Sequence, residues 1–156
     1  MTKGNLMANT YTSLHYHIVF STKNREPWLT PGREIRIWEY IGGIARTNGM
    51  KALKIGGYDD HVHILLALSA TVSVSKAVQL LKGASSRWIH ENDNDMVAFA
   101  WQDGYGAFTV SLSQIADTVR YVEGQREHHR TKSFQEEYVH FLKKHDVKFD
   151  ERYVWG

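Results

Sequence analysis

The stretch MKALKIGGYDDHVHILLAL, Met50 to Leu68, holds two strand-like runs on either side of a short polar turn, Tyr58-Asp59-Asp60. That pattern is the signature of a β-hairpin. In a strand, side chains alternate between faces, so His61 and His63 point one way while Val62, Ile64 and Leu66 point the other. The apolar set requires a core on its side. The spacing of the two imidazoles suits two ligands of one metal, and equally suits two polar residues on the open face of a half-covered sheet.

Upstream, TSLHYHIVFST, Thr12 to Thr22, is rich in β-branched and aromatic residues and predicts a first strand. A loop, KNREPWLTPG, leads into a helix with Thr30 as its N-cap and Pro31 at its first position. Ile35, Trp38, Ile41 and Ala45 recur there at helical spacing until Asn48-Gly49 ends the element. Downstream, Val74, Ala77, Leu81, Ala84 and Trp88 step by three and four, which predicts a second helix to about His90. GAFTVSLS, Gly106 to Ser113, predicts a fourth strand. The order strand, helix, strand, strand, helix, strand is the split βαβ of an α+β, ferredoxin-like fold: a four-stranded antiparallel sheet with two helices on one face. Two further helices are predicted from about Ser113 to His128 and from Ser133 to about His145, the latter opened by Ser133 and Glu136 at capping-box spacing. They serve as a C-terminal cover or as bearers of function.

At 156 residues the chain has the size of one domain, and no repeat or linker divides it, so residues 1–156 are expected to form a single unit. It contains no cysteine, which excludes disulfides, thiolate metal sites and a cysteine nucleophile. The segment MTKGNLMANT lacks the apolar run of a signal peptide, and nothing approaches the ~20 apolar residues of a membrane span, which predicts a soluble, cytoplasmic protein. A net charge of +2 permits nucleic-acid binding without demanding it, so recognition of DNA would rest on local basic patches.

In the helix from Ser113, Ile115, Val119 and Val122 form an apolar stripe. A turn of ~100° per residue gathers Asp117, Tyr121, Gln125 and His128 on the other side, so Tyr121 is expected to project away from the core contact. Gln125 follows Tyr121 at i+4, making phenol and carboxamide neighbours. A carboxamide oxygen is able to complete a metal site begun by two imidazoles, with the phenol one turn away. Gly124 between them costs the helix ~1 kcal/mol relative to alanine, a cost explained by close backbone approach or mobility, or else merely tolerated.

HVH in a strand, followed by RYVEGQREHH on a later helix, resembles the single-tyrosine HUH transposases of small bacterial insertion sequences and their domesticated, repeat-associated relatives. YTSLHYHIVFSTKNRE, LLKGASSRWIH and WQDGYGAF are also similar to members of that family, so the resemblance covers nearly the whole chain. It implies breakage and joining of single-stranded DNA with hairpin ends. Tyr121 would be the nucleophile, and His61, His63 and Gln125 the ligands of Mg2+ or Mn2+. With Gln125 where related enzymes carry a second tyrosine, each chain has one nucleophile. The resemblance therefore implies a homodimer whose composite sites pair the HVH strand of one subunit with the tyrosine helix of the other.

Lys23 and Arg25 in the first loop, with Lys76 and Arg87 on the second helix, are candidate phosphate contacts. Trp101 and Tyr105 suit base stacking or the core edge, and Phe108 suits the core. His128 and His129 lie close enough to Tyr121 in sequence to assist proton transfer or simply to end the helix. Two other functions fit the same residues. One is a non-catalytic ferredoxin-like nucleic-acid-binding module, and the other a metal-dependent hydrolase in which Tyr121 is incidental.

Overall fold

A computed structural model describes residues 10–155, so most of the N-terminal segment considered for a leader lies outside it. Four strands, β1 (Leu14–Ser21), β2 (Lys51–Tyr58), β3 (His61–Leu68) and β4 (Gly106–Thr109), form one antiparallel sheet in the order β2-β3-β1-β4. This is the ferredoxin-like arrangement. Asp59-Asp60 closes the hairpin, with Tyr58 opposite His61. The turn is also fastened from outside, since its Asp59 and Asp60 carbonyls accept from the backbone N–H groups of Leu29 and Thr22 at 2.8 Å each.

One sheet face carries Ile18, Phe20, Val62, Ile64, Leu66 and Leu68, all buried under α1 (Pro31–Thr47) and α2 (Val74–Asn92). The α1 stripe differs from the expected one: Ile37, Ile41, Ile44 and Ala45 are buried, whereas Ile35 is 59 % exposed. Two positions on, and so about 200° around the helix, Ile37 faces the sheet in place of Ile35. Thr30 occupies the N-cap of α1 but accepts through its backbone carbonyl, with no side-chain cap. Ser73 does cap α2 with its side chain.

The other face carries His17, Val19, His61 and His63 and is not left open. It lies under α3 (Ile115–Glu123), α4 (Gln125–His128) and α5 (Phe134–Lys144). Strand β4 stops at Thr109 instead of Ser113, and the predicted helix from Ser113 divides at Gly124, whose φ of −87° and ψ of 14° leave the helical basin. Helix α5 begins with the expected capping box of Ser133 and Glu136. Its apolar side chains Phe134, Tyr138, Phe141 and Leu142 join Val19 and Phe108 in a second core.

Gly56 on β2 determines how closely α3 approaches. A Cβ there would lie 2.4 Å from the Val122 carbonyl oxygen, so only glycine allows the helix backbone to rest on the strand beside His63. Arg126 anchors the next turn: its guanidinium binds both oxygens of Glu34, donates to Asp59 at 2.9 Å and reaches the Leu29 carbonyl at 2.9 Å. Gly56→Ala is therefore expected to destabilise the protein by about 1–3 kcal/mol through forced separation of helix and strand. Urea unfolding of the variant measures this, and an unchanged midpoint would contradict the packing described.

Candidate active site

His61 and His63 are fully buried on β3, and the structure brings all four residues expected at the site together within one chain. Gln125 Oε1 lies 3.0 Å from His61 Nε2, while Gln125 Nε2 donates to the Tyr121 carbonyl at 3.3 Å, which fixes the direction of the amide. The Tyr121 ring packs edge-on against His17, His63 and Phe141. Tyr121 thus faces into the second core, contrary to its expected outward projection. On this sheet face the imidazoles make the polar side of the helix the side that docks, while Val122 rests on β2.

Two residues at the centre were not singled out in the sequence. His17, on β1, contacts His63 Nδ1 through its Nε2 at 2.7 Å. Glu137, on α5, is buried among imidazoles: its Oε1 lies 3.0 Å from His63 Nε2, 3.2 Å from His129 Nε2 and 3.4 Å from His61 Nε2. Its other oxygen accepts the Tyr121 hydroxyl and lies 3.4 Å from His128 Nε2. Each had a sequence signal. His17 alternates with His15 in β1, and Glu137 interrupts the apolar stripe Phe134, Tyr138, Phe141 of an amphipathic helix.

These contacts set the protonation of the site. Burial pushes His63 down to about 4 against the pull of Glu137, and burial with the neighbouring His63 holds His17 well below the usual imidazole range. Burial would lower His61 too, but hydrogen bonds to Asp60 and Glu137 raise it to about 9. Burial likewise opposes ionisation of Glu137, yet His63, His129 and His61 outweigh it and keep the carboxylate charged. Burial, followed by the Glu137 charge, raises the Tyr121 phenol well above its ordinary range.

A cleft of about 320 Å³ opens beside Tyr121, with Gln114, Thr118, Lys132, His140 and Lys144 in its walls. Lys76 and Arg87 sit exposed on α2, across the sheet from Tyr121, while Lys23 and Arg25 lie in a short helical turn after β1. Trp101 is buried and donates to Ser85 Oγ, Phe108 is buried in the second core, and Tyr105 stays partly exposed.

The family model described as IS200-like transposase matches residues 10–125. The chain belongs to that transposase family. It is 26 % identical over 122 residues to the transposase for insertion sequence element IS200 of Salmonella typhimurium, covering 74 % of this chain and 80 % of that protein, and matches the Salmonella typhi counterpart equally. Among solved structures it is similar to a candidate transposase from Deinococcus radiodurans R1, with 27 % identity, a TM-score of 0.64, and coverage of 80 % of this chain and 98 % of that one. A REP-associated tyrosine transposase bound to a REP hairpin shares the fold at 12 % identity and a TM-score of 0.55, covering 75 % of this chain and 69 % of that one. No helix among the described residues of this transposase is long and apolar enough to cross a membrane.

The buried histidines make the metal-free transposase sensitive to acid. His63 folds with its pKa lowered from 6.5 to about 4, so the unfolded chain binds the extra proton first and stability falls as pH drops through that window. Burial of neutral His63 is worth roughly 3 kcal/mol over the interval. His61 works in the opposite sense: its contribution is present below 6.5 and is lost as pH rises through about 9. Chemical unfolding in EDTA is expected to show the acid-side loss, and His17→Leu, which removes a second imidazole held neutral, to flatten it. An equally steep loss in the variant would rule out His17 as a contributor.

Proposed function

We propose that this transposase breaks and rejoins single-stranded DNA through Tyr121, with Mg2+ or Mn2+ held by His61, His63 and Gln125. One juxtaposition carries this reading: the Tyr121 ring packs on His63, and Gln125 Oε1 meets His61, in a chain whose family transposes DNA. The donor set fits a divalent ion, since two imidazoles and an amide oxygen, all buried, come from one strand and a helical turn tied down by Arg126.

Tyr121 Oη attacks the phosphorus of a phosphodiester, and the bond from phosphorus to the 3′ oxygen breaks. The products are a 5′-phosphotyrosine and a 3′-hydroxyl. Glu137 Oε2, which stays ionised, accepts the hydroxyl and orients it, the phenol proton leaves to His128 Nε2 beside it, and the departing 3′ oxygen takes up a proton. The raised pKa of Tyr121 means that it enters as phenol, so an acceptor already in contact matters. A bound divalent ion supplies neutralisation of charge on the phosphoryl oxygens. Because the phosphotyrosine conserves the bond energy, a second 3′-hydroxyl can reverse the step on another strand without a nucleotide cofactor.

The hairpin held by one structural relative supports presentation of the DNA ends as hairpins here. Lys23, Arg25, Lys76 and Arg87 are exposed or half-buried cations suited to phosphate contact. One tyrosine per chain handles one end, so joining two ends calls for a homodimer. Its two sites are composite if the tyrosine helices exchange, and self-contained if each helix stays on its own sheet.

Incubation with labelled single-stranded hairpin DNA and Mg2+ or Mn2+ is expected to yield a denaturation-resistant protein–DNA adduct, absent with Tyr121→Phe and reduced at least ~100-fold with His63→Ala. An adduct that persists in Tyr121→Phe would sink the assignment. Binding without cleavage would favour a binding module, and free 5′-phosphate ends without adduct a hydrolase.

A further inference from the structure

Helix α5 lies beyond the residues that the family model matches, yet it inserts a carboxylate among the candidate metal ligands. The orientation of the imidazoles shows what Glu137 faces. His61 Nδ1 meets a carboxylate oxygen of Asp60 at 2.8 Å, and His129 Nδ1 meets the Lys132 carbonyl at 2.5 Å. Both partners only accept, so both Nδ1 atoms carry hydrogen, and it is each Nε2 that an ion would engage, displacing any proton held there. Those Nε2 atoms point at oxygens: His61 Nε2 at Gln125 Oε1 and Glu137 Oε1, and His129 Nε2 at Glu137 Oε1. His63 adds a third Nε2, with its Nδ1 held by His17. Rings fixed through Nδ1 with Nε2 atoms converging on oxygen donors form the arrangement in which outer partners orient metal ligands.

The ligand atoms of His61, His63, His129 and Glu137 lie within 4.8 Å of one another. Individual separations of 3.0, 3.2 and 3.4 Å to Glu137 Oε1, and 3.0 Å from His61 to Gln125, match the ~3 Å edge between neighbouring ligands bonded at ~2.1 Å to one ion.

We propose that Glu137 Oε1, with His129 Nε2 beside it, completes the metal shell begun by His61, His63 and Gln125, so that the metal centre of this transposase takes a carboxylate ligand from α5. The inference rests on the reading of His61 and His63 as metal ligands. It changes the chemistry of the centre in two ways. Three imidazoles, one amide and one carboxylate favour borderline ions such as Mn2+, Co2+ or Zn2+ over Mg2+, and add the negative charge that His61, His63 and Gln125 lack. Glu137 Oε2 meanwhile holds the Tyr121 hydroxyl, so the same side chain that binds the ion also positions the nucleophile against it.

The test is metal binding by the full chain stripped with EDTA, followed by calorimetric titration and Mn2+ EPR, with Co2+ absorption as a second readout. Glu137→Gln keeps the shape and removes the charge. It is expected to stay folded by circular dichroism and to bind Mn2+ at least about ten-fold more weakly, whereas Glu136→Gln on the exposed cap binds as wild type. Glu137→Asp withdraws the oxygen by one methylene and is expected to alter the Co2+ spectrum, which carries the test should Glu137→Gln fail to fold. Mn2+ affinity of Glu137→Gln within about two-fold of wild type, or an unchanged Co2+ spectrum in Glu137→Asp, overturns this inference alone. A wild-type chain that binds neither ion overturns the reading of His61 and His63 together with it.

Discussion

Strand β1 lies on β3 with Ile18 opposite Ile64 and Val19 opposite His63, and the site depends on that register. In an antiparallel pair, opposed residues share a face, so Ile18 and Ile64 enter the core beneath α1 and α2 while Val19 and His63 look toward α3 and α5. A slip of one residue would bring His63 opposite an apolar-face position of β1 and strand imidazoles under Ile37 and Leu81. Apolar burial on one face therefore enforces the placement of the imidazoles on the other. The helical turns that follow exploit this: Gly56 lets Val122 seat on β2, and the seat brings Tyr121 beside His63 and Gln125 beside His61.

The second face solves a harder electrostatic problem than the first. Placing His17, His61, His63 and His129 under an apolar lid removes four polar rings from water, and each needs a partner. His17 and His63 partner each other, and Asp60, the Lys132 carbonyl, Gln125 and Glu137 serve the rest, with Glu137 shared among several. Helix α5 is suited to this because it supplies the apolar cover and the central carboxylate from adjacent positions: Phe134, Tyr138 and Phe141 flank Glu137. Removing α5 would expose the apolar layer and leave the imidazoles without their shared anion.

The sheet and its connections were legible because local signals agreed with the fold. The hairpin turn, Pro31, the Ser133 capping box and the alternation through His61-Val62-His63 each survive into the structure. Tyr121 and Gln125 were found by their i+4 spacing and by resemblance to a family. Their direction was misread, because helical periodicity separates an apolar from a polar side without saying which side meets a neighbour, and here both do. Glu137 was missed for a related reason: a glutamate one turn into a capped helix ordinarily reads as a favourable dipole charge in solvent. Only the packing of α5 across β3 shows that this glutamate lies in the buried stripe.

The reach of the family match bears on how the site is divided. The matched residues end at Gln125, the last of the metal ligands expected from sequence, whereas His129 and Glu137 come after it. The matched portion contains the HVH strand, Tyr121 and Gln125, which as proposed ligands form a set of modest affinity for a hard ion. The portion that follows contributes the His129 imidazole and the Glu137 charge, and Glu137 also touches Tyr121. On the proposed ligand set, metal binding and the docking of α5 would be linked: an ion held by helix and strand together would fasten the cover over the sheet, and the docked cover would in turn complete its ligands.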